Sequence, residues 1–151
     1  MRSLITHEEL KEDIIINIKI LNKNHLVIQS GDNLIRHFEI ASNRLKLIDK
    51  YVGANFETTM PLCTVSPDNK YILSPSESGK PMLWDVFTGV QISLDHLNLD
   101  IKGPLSVCDW HPKYNLILIS GFVEFCPIFV YGNTLSEAEC KIVAAQQMVW
   151  Y

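Results

Sequence analysis

Apolar positions in this chain come in short runs, and polar turn formers separate one run from the next. Ile14 to Ile20, His25 to Gln29, Leu34 to Ile40 and Leu45 to Tyr51 are β-branched or alternate in hydropathy, with Asn22-Lys23-Asn24, Gly31-Asp32-Asn33 and Ser42-Asn43 between them. A period of two bounded by Gly, Asn and Asp predicts strands joined by tight turns. The same grammar returns at Pro61 to Val65, Tyr71 to Ser74, Met82 to Val86 and Val90 to Leu94. Its punctuation there is Ser66-Pro67-Asp68-Asn69, Ser76-Glu77-Ser78-Gly79 and Thr88-Gly89. It returns again at Leu105 to Trp110, Leu116 to Ser120 and Ile128 to Tyr131.

One offset superposes the second and third passes. Val65 falls on Trp110, Ser66-Pro67 on His111-Pro112, Ile72-Leu73 on Ile117-Leu118 and Trp84 on Phe129, each 45 residues on. The first pass fits with an offset of 46: Leu26-Val27 onto Ile72-Leu73, Phe38 onto Trp84 and Glu39 onto Asp85. A unit of about 40 to 45 residues holding four short strands is the period of a propeller blade.

In the second pass, Ser66-Pro67-Asp68-Asn69-Lys70-Tyr71-Ile72-Leu73-Ser74, then Gly79, Leu83-Trp84-Asp85 and Thr88-Gly89, resembles the WD40 repeat from its first turn to its last. The chemistry of the repeat accounts for these residues. Pro and Asp preset a turn, Gly or Asn supplies a left-handed backbone, and Trp84 fills the space between neighbouring blades. The resemblance also has departures. WD40 repeats carry a Gly-His before the first strand, whose His joins a Ser or Thr, an Asp and the Trp in a buried hydrogen-bonded tetrad; here Asn55-Phe56-Glu57 has no His. Ser74 and Trp84 match tetrad positions, but Glu77 and Ser78 stand where Asp is usual, so a full tetrad is not expected. Pro75 and Pro81 each delete a backbone donor, which predicts a bulge or shortened pairing beside them.

A narrower resemblance is carried by Tyr51-Val52-Gly53-Ala54-Asn55-Phe56, Gly79 to Gly89, Trp110-His111-Pro112 through Asn115, Gly121-Phe122, Pro127-Ile128 and Tyr131. Together these look like the last blades of the jouberin family, ciliary WD40 scaffolds. In that family the final blade is followed by a Gln- and Glu-rich helix, and here Ser136-Glu137-Ala138-Glu139 opens a stretch ending in Gln146-Gln147. Ser136 with Glu139 also forms a capping box. What the resemblance implies is a role in cilium assembly or at the transition zone, in the cytoplasm at the cilium base.

Composition narrows the function classes. At 151 residues and 47% hydrophobic, one domain is expected. A net charge of −4 offers no basic stripe for phosphates, which argues against nucleic acid and anionic membrane as partners. Cys63, Cys108, Cys126 and Cys140 form no Cys-x-x-Cys pair and are expected to be free thiols in a reducing compartment. The apolar runs are too short to span a membrane, and the N-terminus lacks the pattern of a signal peptide. His7, His25, His37, His96 and His111 have no ligand spacing, so neither a metal nor another cofactor is expected. Asp109 and His111 flank Trp110 and are expected in a strand-end turn rather than a catalytic triad. Gly31-Asp32-Asn33 is expected to be a hairpin turn, since no helix or Lys-Ser/Thr follows for phosphate. Thr6-His7-Glu8-Glu9 can cap a short N-terminal helix.

The expected architecture is all-β: a partial WD40 β-propeller of about three four-stranded blades (residues 13–50, 51–96 and 97–132) with a short C-terminal helix within 133–151. The apolar tail Ile142, Val143, Met148, Val149, Trp150 and Tyr151 is either a docking helix or the start of further structure. Propellers close with about four to eight blades, so the partner is expected to be further blades of a longer parent chain or a second subunit. The function expected is a non-catalytic protein-interaction scaffold. The alternatives are a propeller fragment without independent function, or an adaptor in another cytoplasmic complex. Exposed loop residues Phe56, Glu57, Glu77, Phe122, Glu124 and Phe125 are the candidate protein contacts, with plugging of the blade edge as the other role open to Phe122 and Phe125.

Overall fold

The structure is a computed structural model that describes residues 7–10, 13–41, 44–94, 101–114, 116–122 and 128–132. A 3₁₀ turn at Glu8–Leu10 precedes three antiparallel sheets. The first holds β1 (Ile15–Ile20), β2 (His25–Ser30), β3 (Leu34–Ala41) and β4 (Arg44–Tyr51), in that order. The second holds β5 (Thr64–Val65), β6 (Tyr71–Ser74), β7 (Met82–Asp85) and β8 (Gln91–Ile92). The third holds β9 (Leu105–Trp110), β10 (Leu116–Gly121) and β11 (Phe129–Gly132). Each is a meander of neighbours in sequence, as hairpin turns too short for a crossover require.

The repeat is visible in the hydrogen bonds of the first turn of each blade. In the second and third blades, Ser66 N–H donates to Tyr71 O and His111 N–H to Leu116 O, both at 2.9 Å and 45 residues apart. In the first blade the turn is one residue shorter, with Leu21 N–H donating to His25 O. A polar side chain holds every one of these turns. Asn22 Oδ1 accepts from the N–H groups of Asn24 and His25, and Ser66 Oγ from Tyr71 N–H. His111 Nδ1 accepts from Lys113 and Tyr114 N–H at 3.1 and 3.2 Å, so His111 sits in the strand-end turn expected of it. Asn33 (φ 63°) and Asn69 (φ 58°) take the left-handed positions of the Gly31-Asp32-Asn33 and Ser66 turns.

Side chains directly opposite one another across strands form one row per blade. The rows are Ile20, Leu26, Phe38 and Leu47; then Val65, Ile72, Trp84 and Gln91; then Trp110, Ile117 and Tyr131. Trp84 is therefore matched by Tyr131 and not by Phe129, which pairs with Ile119. The sequence offset fails here because the paired positions Ile117 and Tyr131 lie two residues farther apart along the chain than Ile72 and Trp84. Two residues is one full period of a strand, so Phe129 and Tyr131 stay on the same face and the hydropathy pattern conceals the slip.

Two apolar cores lie between blades. Val27, Ile35 and Tyr51 of the first blade meet Ile72, Trp84, Val86 and Cys63 of the second. Leu73 and Leu83 of the second meet Leu105, Cys108 and Ile119 of the third, with Trp110, Ile117 and Tyr131 alongside. Trp84 thus fills the inter-blade space as expected, its ring 6.1 Å from that of Tyr51. Gln29, buried in the same junction, donates from Nε2 to Pro61 O at 2.5 Å and accepts from Cys63 N–H at 2.9 Å.

Several expectations need adjustment. The β6–β7 pairing stops at Ser74 and Met82, immediately inside Pro75 and Pro81, so the shortened ladder is the outcome. The strand expected from Pro61 begins only at Thr64, because Leu62 instead bridges in parallel to Val107. Val90 to Leu94 contracts to Gln91–Ile92. The third blade shows three strands among the described residues. The C-terminal helix lies outside the described residues, as do Cys126 and Cys140.

Candidate interaction loops and the inter-blade junctions

Loops from all three blades are tied together at one edge of the sheets. Asn33 Oδ1, in the β2–β3 turn, accepts from Phe56 N–H at 2.8 Å. Asn55 N–H donates to Ser76 Oγ at 3.0 Å, and Glu77 N–H returns to Asn55 O at 3.2 Å. Ser76 O in turn accepts from Leu105 N–H at 3.1 Å, and Pro104 O from Phe122 N–H at 2.9 Å. Gly79 (φ +80°) completes the packing, since a Cβ there would lie 2.7 Å from Ile101 O.

Glu77 is the clamp of this rim. Its carboxylate accepts from the N–H and Oγ1 of both Thr58 and Thr59, at 2.6 to 3.0 Å. Desolvation raises its pKa, but the donors of Thr59 and Thr58 outweigh it, and the net shift is downward. A carboxylate saturated by four local donors organises a loop and has little left for a partner. Glu57 is exposed on the same loop. Phe122 is 65% exposed. Phe56 corrects the sequence-based expectation of exposure. It is only 2% exposed and packs in the first core with Trp84, in the stretch where the WD40 resemblance would place a histidine. Glu124 and Phe125 lie outside the described residues. Of the six candidates, the structure brings the Glu57 loop against Glu77, and places Phe122 farther along the same rim.

Asp85, the acidic member of the Trp-Asp pair, caps the β7–β8 turn. Its Oδ1 accepts from Phe87 N–H, Thr88 N–H and Thr88 Oγ1 at 2.9 to 3.1 Å, and these bonds, Thr88 N–H first, hold its pKa down. Gly89 (φ +68°) closes the turn, where a Cβ would fall 2.3 Å from Asp49 Oδ2 of the first blade. Ser74, at a tetrad position, donates instead to Pro75 O at 2.9 Å.

Other chemistry is structural in its partners. Thr64 Oγ1 lies 3.3 Å from Asp109 Oδ1, bridging β5 and β9. Cys63 and Cys108 are buried free thiols, and burial pushes Cys63 up to about 12 and Cys108 well above its ordinary value. One pair escaped the sequence: His25 Nδ1 and His37 Nε2 are 2.8 Å apart. Their twelve-residue separation crosses a hairpin diagonally, so no ligand spacing announced it. Among the described residues no three His, Cys, Asp or Glu side chains group as metal ligands, and no helix is long and apolar enough to cross a membrane.

The architecture matches a solved one. The β-propeller domain of Cps50 (Swd1) from Myceliophteria thermophila superposes with a TM-score of 0.62 at 18% identity, covering 76% of this chain and 37% of that one. The fold is a partial WD40-type β-propeller. Sequence relatives support a WD40-repeat family for it. Jouberin of Mus musculus is 26% identical over 124 residues, 81% of this chain and 12% of its own length, and jouberin of Rattus norvegicus aligns to the same extent. WD repeat-containing protein 82 of Drosophila melanogaster is 29% identical over 82 residues, 48% of this chain and 25% of its own. No family model matches the chain. The WD40 arc therefore spans about an eighth of the length of the jouberins it resembles.

Proposed function

We propose that this WD40 arc is a non-catalytic protein-interaction scaffold that works as part of a larger ring, completed by further blades of a longer parent chain or by a second subunit. The observation that carries the proposal is the continuous rim. Hydrogen bonds link the loops of three blades into one surface, and Glu57 and Phe122 stand exposed on it while Glu77 and Phe56 fix it from beneath. The likeness to the jouberins supports a place in cilium assembly or transition-zone organisation, in the cytoplasm at the cilium base.

The test is proximity labelling from the full-length protein in ciliated cells, comparing wild type with Glu57→Ala combined with Phe122→Ala. Neither side chain supports a core, so the melting temperature is expected to stay within about 2 °C of wild type. The labelled set is expected to lose specific proteins and to be enriched in components of the ciliary base. An unchanged set would remove the rim from the proposal, and a set without ciliary components would remove the ciliary role.

A further inference from the structure

The row of side chains that faces the preceding blade has a neighbour in the second and third blades. Val65, Ile72 and Trp84 pack on the first blade, and Trp110, Ile117 and Tyr131 pack on the second. Among the described residues, no sheet packs on the corresponding row of the first blade, Ile20, Leu26, Phe38 and Leu47. Its aromatic member should be bare. Yet Phe38 is 0% exposed, while Ile20 in the same row and Ile18 beside it are 77% and 57% exposed.

The difference lies in the 3₁₀ turn. His7 sets its ring edge-on over Phe38 with centroids 5.0 Å apart, and its Nδ1 accepts from Glu9 N–H at 3.2 Å. Glu9 reaches back to the sheet, 2.6 Å from Lys50 Nζ and 3.4 Å from Arg36 Nε. Arg36 is buried and also bonds Asp32, with Asp13 at 3.9 Å. The turn is thus held by charge at its edge and by one ring at its centre. It contributes no buried residue of its own, and Phe38 belongs to neither inter-blade core.

We propose that the turn at His7–Leu10 is a displaceable cap, occupying on the first blade the site where a neighbouring blade docks. The inference rests on ring completion as proposed above and adds that, at this edge, completion requires the cap to leave. The occupant is another WD40-type blade, because the exposed row repeats in register the two rows that already accept one. That blade comes from a second copy of this chain. Ile18 and Ile20, left bare beside the cap, are where the incoming blade makes first contact.

The experiment is sedimentation velocity on the chain over a concentration series. The double substitution His7→Ala with Glu9→Ala removes the ring over Phe38 and the tie to Lys50 without touching either core. Exposing a phenylalanine-sized surface is expected to tighten self-association by about tenfold or more. Adding Ile18→Lys and Ile20→Lys, at exposed positions on the same face, is expected to reverse that gain. Circular dichroism and the unfolding midpoint of each variant establish that it is folded. Equal association of wild type and the loosened variant would overturn the cap; ring completion would stand if both associate, and only its completion by a second copy would fall if both remain monomers. A gain that survives the two lysines would also overturn the proposal, since association would then use another surface.

Discussion

Replacing Gln29 by leucine tests whether the first two blades are joined by a polar clamp as well as by apolar packing. The side chain is fully buried, and its amide spans the junction by donating to Pro61 O and accepting from Cys63 N–H. Leucine has similar volume, so little cavity forms, but it leaves one carbonyl and one N–H without partners in a water-poor interface. Each orphaned group costs about 1 to 3 kcal/mol, and the added apolar burial returns about 1 kcal/mol, for a net loss of about 1 to 5 kcal/mol. Gln29→Glu separates the two bonds, because a carboxylate still accepts from Cys63 N–H but faces Pro61 O as two acceptors with no proton between them. Buried charge adds to that repulsion, so glutamate is expected to be worse than leucine at pH 7 and to recover as the pH is lowered and the carboxyl becomes a donor. Urea unfolding followed by tryptophan fluorescence reads the junction directly, since Trp84 lies in the same core. A leucine variant within about 0.5 kcal/mol of wild type, or a glutamate variant more stable than leucine at pH 7, would refute the clamp.

Two further outcomes are expected. His37 is held below its ordinary value of 6.5, chiefly by burial and then by the adjacent His25, against the opposing pull of Asp49 and Glu39. The unfolded chain takes up that proton first, so the stability contributed by neutral His37 is complete above about pH 6.5 and is lost as the pH falls below it. Urea midpoints measured from pH 7.5 to 5.5 should decline in wild type and decline less in His37→Asn; parallel slopes would contradict this. Gly89→Ala combines a positive φ with a collision against the Asp49 carboxylate, and should cost about 1 to 3 kcal/mol. Asp49→Ser in the alanine background should recover the steric part in a thermal melt, and no recovery would place the whole cost in the backbone.

Much of the architecture was legible because a strand's side chains alternate with a period of two, and eleven strands emerged among the described residues close to the runs read from hydropathy. Pro75 and Pro81 marked where the β6–β7 ladder ends, a consequence of their missing N–H groups. The loop residues were less legible. Phe56 looked like an exposed loop aromatic, since local sequence cannot tell a loop that crosses a rim from one that dips into a core. Glu77 looked available for a partner, but its four donors come from Thr58 and Thr59, nineteen and eighteen residues away.

By itself the sequence determined what is set by neighbours along the chain: strands, turns, the residues that cap them, and the repeat that makes three blades of one pattern. Tertiary structure alone decided what depends on distance through space. It matched Trp84 with Tyr131, because a slip of two residues leaves the alternation unchanged and only the hydrogen-bonded ladder counts it. It brought His25 against His37, locked Gln29 across a junction 32 to 34 residues wide in sequence, and laid His7 over Phe38. Such contacts follow from how the blades stack, and stacking is selected by shape and by satisfied polar groups that no local pattern encodes.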